Sequence, residues 1–408
     1  MAEAAHDRPL SGIRVIDVTT VLMGPFATQM LGDMGADIIK IEPLQGDSHR
    51  TVGRAHSSDL GLNFLNTGRN KRSLALDLKH PDARDIVTGL VKDADVFISN
   101  MRPAALKRLG LDYVALRAVS DKLIHVSLVG FGRGGRYAGL PAYDDLIQAA
   151  VGIPWLIQQG SGAEPAYVPL ALCDRVVGVA ALNPILGALF ARTRGAGGRE
   201  IEVPMFETMV RLVLGDHLGQ QVYQPANGPA GYGRLLSRHR RPYRTRDGYI
   251  GVLPFDDRAW RKLFRIAGRE GLLPCEPITD RTADFDKLYG LLSDVMAEKT
   301  SAEWLGLLRD ADIPSMPMNS LADLIEDPHL ADVGFFQTRQ HPSEGAVRMM
   351  VVPDGVTAGA ERQISPAPHL GQQSIEVLRE AGLSDDQIER LIELKIVRQA
   401  VPAAQSSR

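Results

Sequence analysis

Asp174 is the residue of this sequence best placed to do chemistry. It precedes a long apolar stretch, VVGVAALNPILGALF, that reads as a helix. Its structural reading is the N-cap of that helix, since Asp is among the best capping residues. The same place suits a nucleophile, because a helix N-terminus favours an ionised carboxylate. The two roles are compatible. The adjacent Cys173 reads as a small buried hydrophobe with no base partner in sequence. Basic residues punctuate the first half: Arg50, Arg69, Lys71, Arg72, Arg102, Lys107 and Arg108. Each alone reads as solvated surface charge. The group in NMRPAALKRLG directly follows an expected strand, where cations could hold phosphate. The run Arg238-His239-Arg240-Arg241 reads as a solvated face that could also attract an acidic substrate. No H-x-x-x-H or H-E-x-x-H spacing occurs, so no metal site is expected.

Alternating strands and helices must position these residues. Strand patterns cover Ile13–Val18, Ala36–Ile41, Ser73–Leu76, Val96–Ser99 and Ile124–Val129. Helical patterns lie at Phe26–Met34, where Pro25 suits a helix start, at Pro81–Val91 and at Ala104–Leu109. This alternation argues for parallel βαβ units. The first βα loop, TTVLMGPFATQ, lacks the G-x-G-x-x-G that close approach to a pyrophosphate needs, which argues against NAD or FAD.

Beyond Tyr143 the spacing predicts helices over Asp144–Val151, Asp174–Arg192 and Met205–Val222, with a strand at Glu200–Val203. QPANGPAGYG, at Gln224–Gly233, reads as a linker. Asp247-Gly248 between Pro242–Arg244 and Tyr249–Leu253 is a hairpin signal. Helices follow near Asp257–Ala267, Phe285–Ala297 and Ala302–Arg309. Thr300 and Glu303 have capping-box spacing. A last helical region spans Gln372–Leu394.

The composition fits a globular protein. Of 408 residues, 44% are hydrophobic and 23% charged, and the net charge of -3 points away from nucleic acid. No apolar run approaches the ~20 residues of a membrane span. MAEAAHDRPL has no signal-peptide core. Two cysteines give no disulfide framework. A cytoplasmic protein without membrane contact is the expectation.

An ordered set of blocks resembles the class III CoA-transferase family, which also contains the α-methylacyl-CoA racemases. The set begins with SGIRVIDVTTVLMGPFATQMLGDMGADIIKIEP and Gly46-Asp47. It continues through NKRSLALDLK, ADVFISNMRPAALKRLGLDY and IHVSLVGFGRGG. It ends with RPYRTRDGYI, IPSMPMNSLADLIEDPHL and HLGQQSIEVLREAGLS.

The resemblance implies an α/β fold with a large Rossmann-like domain built from both chain ends, a smaller α+β domain, and two subunits intertwined as a homodimer. On this chain the large domain takes 1–223, a linker 224–241, the small domain 242–331, and a second linker, around Asp332–Gln340, with the return to the large domain 332–408. The resemblance also implies an enzyme of EC 2.8.3 type. It moves coenzyme A, a substrate rather than a resident cofactor, from an acyl-CoA donor to a small carboxylic acid acceptor. Asp174, about thirty residues beyond Tyr143-Asp144, matches the family nucleophile, which carries a covalent intermediate. Thr20, Leu22, Met23, Leu76, Asn100, Met101, Arg108 and Tyr143 match family CoA contacts.

Backbone donors for the oxyanion are expected from Gly130–Gly135. A formyl-CoA-binding member has arginine at Pro43, lysine at Pro141 and a run of four glycines absent here, which argues against formyl or oxalate specificity. A racemase on the same scaffold is the alternative, but such enzymes carry histidine at Tyr143, and tyrosine is a poor base near neutral pH. A noncatalytic acyl-CoA binder is a more distant reading.

Overall fold

The computed structural model describes residues 8–53, 55–273, 285–351 and 364–400. Contacts divide the chain into two units. The first comprises the described parts of Met1–Val151, Pro169–Arg211 and Asp332–Arg408; the second comprises those of Gly152–Val168 and Leu212–Ala331. Residues 152–168 and 212–241 thus group with the second unit.

The first unit is built on seven strands: β1 (Arg14–Asp17), β2 (Asp37–Glu42), β3 (Lys71–Leu76), β4 (Val96–Ser99), β5 (Ile124–Val129), β6 (Arg199–Pro204) and, from the C-terminal segment, β12 (Val397–Arg398). Their order is β12-β3-β2-β1-β4-β5-β6. All neighbours run parallel except β12, which is antiparallel to β3. Every residue of β4 and β5 is buried, as expected of parallel strands covered on both faces. One core cluster joins Ile16, Ile39, Leu74 and Phe97 of the sheet to Ile86 and Leu90 of the helix Pro81–Val91. It also takes in Val377 and Ile388 from the C-terminal helices. The order 3-2-1-4-5-6 reverses between β1 and β4. In such sheets the crevice outside the strand C-termini at that reversal is where ligands bind.

Several elements differ from the sequence reading. The first helix spans Met23–Asp33, with Pro25 inside its first turn. Helix Met205–His217 stops short of the expected Val222, and a 3₁₀ turn at Gly219–Val222 follows. The C-terminal helical region is two helices, Ser374–Glu380 and Asp385–Glu393, parted by Gly382 at φ 89°. The stretch read as a linker around Asp332–Gln340 instead enters a hairpin, β10 (Phe336–His341) and β11 (Gly345–Met350), whose strands carry few apolar residues in alternation.

The helix Leu172–Thr193 corrects the run count for membrane spans. It has 22 residues, and its most apolar 18-residue stretch has a mean hydropathy of 1.5, which by length and composition alone is enough to cross a membrane. Asp174, Arg175, Asn183 and Arg192 interrupt any strictly apolar run. The helix instead packs on helix Met23–Asp33 and on β5 and β6, burying Val177, Ala181, Ile185 and Leu189.

In the second unit, β7 (Tyr243–Arg244), β8 (Tyr249–Val252) and β9 (Ser315–Pro317) form an antiparallel sheet. The Asp247-Gly248 turn joins the first two as expected, with Tyr243 opposite Ile250. Trp260, Phe264, Tyr289 and Trp304 fill its core. The capping box of Thr300 and Glu303 is formed at the helix Ser301–Asp310.

Candidate active site

The loop leaving β1 at the sheet reversal is held by side chains from neighbouring strands. Asp17, fully buried at the end of β1, accepts hydrogen bonds from the Thr19 N–H (2.9 Å) and the Thr28 hydroxyl (2.6 Å). Asn100, just after β4, accepts from the Thr20 N–H (2.9 Å) and donates to the Thr20 carbonyl (2.8 Å). Each end of its amide thus holds the Thr20 backbone, so Asn100 shapes the site by fixing Thr20. Gly24 is required where it stands: a Cβ there would lie 2.3 Å from the Thr19 Cβ.

Asp174 is brought to this loop by helix packing. Gly178, one turn further along Leu172–Thr193, has no Cβ to strike the Met23 carbonyl, which would lie 2.8 Å from it. The two helices therefore approach closely at their N-terminal ends. Asp174 is not the N-cap. That position is Ala171, and Asp174 is the third residue of the helix. Its own N–H, one of the orphan donors of the first turn, donates to Asp144 Oδ1 at 2.9 Å. The cap is thus supplied by Asp144 from the helix Asp144–Ala150, and the Gln148 amide steadies the other Asp144 oxygen at 2.6 Å.

The electrostatics follow from this packing. Burial, and then the Asp144 charge, push the Asp174 carboxyl up to about 6, while Arg175 opposes them. The helix N-terminus does not hold it in the ordinary carboxylate range, because desolvation and a like charge both disfavour the ionised form. Arg175 stacks 4.4 Å above the Phe26 ring. Burial and three neighbouring aspartates push the Cys173 thiol up to about 12, which suppresses its thiolate at neutral pH. Cys275 lies outside the described residues.

Two cavities open at the sheet reversal. The first, about 290 Å³, is lined by Thr20, Leu22, Met23, Asn100, Met101, Tyr143 and Asp174. The second, about 570 Å³, is lined by Thr20, Leu76, Met101 and Arg108 among mainly apolar residues such as Val18, Ile41 and Leu109. Thr20 and Met101 line both. All nine residues singled out from the sequence therefore border one cavity or the other. Pro43 lines the second and Pro141 the first, so neither brings charge there.

Other candidates take structural roles. Arg50 is buried against both Glu42 oxygens (2.6 and 2.7 Å), Arg69 pairs with Asp33 and Arg72 with Asp37. Lys71 is buried against Asp17. Arg102 and Arg108 remain at the cavities. In the glycine-rich segment, the Gly132 N–H donates to Glu207 (3.0 Å) and the Arg133 N–H to Glu202 (2.9 Å). These two of the segment's donors are therefore taken by carboxylates. The run Arg238–Arg241 belongs to the second unit. Among the described residues no cluster of His, Cys, Asp and Glu could hold a metal ion. Sequence reasoning missed the capping role of Asp144, which sat unexamined beside Tyr143, and the close approach at Gly178, for which no local signal exists.

The chain is similar to known proteins over most of its length. The family model described as CoA-transferase family III matches residues 10–374. A succinyl-CoA:glutarate CoA-transferase of Mus musculus is 30% identical over 403 residues, covering 96% of this chain and 91% of that protein. An acetyl-CoA:oxalate CoA-transferase of Acetobacter aceti is 33% identical over 334 residues, covering 79% and 84%. Among solved structures, a CAIB/BAIF family protein from Brucella suis superposes with a TM-score of 0.75 at 26% identity, covering 92% of this chain and 99% of that one.

Proposed function

Because the chain belongs to CoA-transferase family III, we propose that it moves CoA from an acyl-CoA donor to a small carboxylic acid through a covalent intermediate on Asp174. The observation that carries the reading is the placement of a half-buried carboxylate on the wall of a cavity that shares Thr20 and Met101 with a second, more apolar one. That arrangement suits a long ligand with a reactive end at Asp174 and a nucleotide end near Leu76 and Arg108. Relatives named for glutarate and oxalate support a dicarboxylic acceptor. A panel of acyl-CoA donors against mono- and dicarboxylic acceptors, read by mass spectrometry, tests it.

In the proposed sequence the Asp174 carboxylate attacks the donor thioester carbonyl. The tetrahedral oxyanion collapses, the C–S bond breaks, and CoA leaves as thiolate, giving a mixed anhydride. The thiolate then attacks the aspartyl carbonyl carbon and expels the donor acid as carboxylate, leaving an aspartyl-CoA thioester. The acceptor carboxylate runs the same steps in reverse, restoring Asp174. No net proton or electron is consumed, and each step is easier than a direct exchange.

The pH dependence follows from the Asp174 environment. Only the ionised form is nucleophilic, so kcat/KM should rise with pH through about 6 and then level. Asp144→Asn keeps an oxygen to accept the Asp174 N–H but removes the like charge. The acidic limb should therefore move to lower pH. A pH profile of kcat/KM for both proteins checks this, and an unmoved limb would count against Asp174 as the titrating group.

The first unit is left by the chain at Arg211 and rejoined at Asp332. We expect two copies to interlock through this excursion, so that dissociation requires unfolding. Sedimentation at low nanomolar concentration should find only dimer; a folded monomer in exchange with dimer would contradict it.

A further inference from the structure

Val21 lies on the wall of the first cavity with φ 70°, in the left-handed region. For a β-branched residue this is a genuine outlier, which persists only where its surroundings impose it. The surroundings are a buried ion pair that the reaction does not use. Lys40 Nζ and Asp47 Oδ2 lie 3.1 Å apart, and their side chains are 0% and 1% exposed. Lys40 donates to the Thr19 carbonyl at 2.8 Å. Asp47 accepts from the Val21 N–H at 3.1 and 3.2 Å, and from the His49 N–H at 3.0 Å. The pair thus holds the backbone on both flanks of Thr20, while Asn100 holds Thr20 itself.

We infer that Lys40 and Asp47 are positioning residues, which lock the loop Thr19–Met23 with Val21 in its strained conformation and so pre-shape the acyl-CoA cavity. The inference rests on reading that cavity as the acyl-CoA site. In a dinucleotide fold glycine makes such a turn without strain. Here a valine makes it, and side chains from β2 and the segment after it enforce it. Rigidity gained this way lowers the ordering cost of binding.

The test is a double-mutant cycle on the full chain, with free CoA as the titrated ligand and circular dichroism to check folding. Asp47→Ala should weaken CoA binding about tenfold or more when residue 21 is valine. In the Val21→Gly background the same change should cost no more than about threefold, because glycine adopts positive φ unaided. Should Asp47→Ala fail to fold, Asp47→Asn, which keeps the shape and one acceptor oxygen, enters the same cycle. Equal losses in both backgrounds would show that Asp47 serves stability alone, and would overturn the inference. No loss in either would do the same. A wild-type chain that binds CoA but transfers nothing would overturn the transfer reading while the cycle still decides the clamp. One that binds no CoA would overturn both.

Discussion

Asp174→Asn is expected to lower CoA transfer by roughly 10⁴-fold or more, the scale seen when a covalent nucleophile is removed. Asn is close to isosteric and keeps an oxygen, but it cannot form the anhydride. The helix cap is untouched, since Asp144 accepts the backbone N–H of residue 174 whatever its side chain. CoA binding should therefore persist. The same substitution should raise stability. The Asp174 pKa rises from 3.8 to about 6 on folding. A carboxyl with a raised folded pKa weakens the fold progressively as pH climbs from the unfolded value to the folded one, and fully above it. Neutral Asn escapes that penalty, for a gain of up to about 3 kcal/mol at pH 7. The two effects have opposite signs, which separates loss of chemistry from loss of fold. Wild-type protein mixed with an acyl-CoA and trapped with hydroxylamine or borohydride should carry a donor-dependent modification on the peptide containing Asp174. Normal turnover by Asp174→Asn, with deamidation checked by mass spectrometry, would end the mechanism.

Ala105→Trp should raise the Kd for CoA by about 100-fold or more. Ala105 lines the second cavity, on the helix Pro103–Leu109 and one turn before Arg108. An indole there would fill apolar space that the proposal gives to the nucleotide end of CoA. Ala105 does not line the first cavity, which holds Asp174 and shares only Thr20 and Met101 with the second. A truncated thioester such as an acyl-pantetheine, which lacks the nucleotide, should react poorly but equally well with both proteins. Remote binding energy is what it lacks, and the substitution removes only that. Equal CoA affinity in wild type and Ala105→Trp would assign the second cavity no part in CoA binding. Equal loss on the truncated thioester would show that the damage had spread to Asp174.

The architecture was largely legible in the sequence because its signals are local. Buried parallel strands read as continuous apolar runs, and β4 and β5 lie where those runs predict. Pro81, Asp247-Gly248 and Thr300–Glu303 state their turns and caps through their own chemistry. The residues around the candidate site were legible too, through an ordered set of blocks. Their division of labour was not. Asn100 looked like a ligand contact, and it also holds the Thr20 backbone through its carbonyl oxygen and one of its N–H groups. Arg50, Arg69 and Lys71 looked like surface cations, yet each is buried against a carboxylate. Asp174 looked like the cap of its helix, yet Asp144, thirty residues earlier, provides the cap, and burial together with the Asp144 charge pushes the Asp174 carboxyl up to about 6. Strands and helices follow from the periodicity of neighbours along the chain. Which polar group is left for a ligand follows from pairings across tens of residues, and only the folded arrangement brings those partners within hydrogen-bonding distance and excludes the water that would otherwise equalise them.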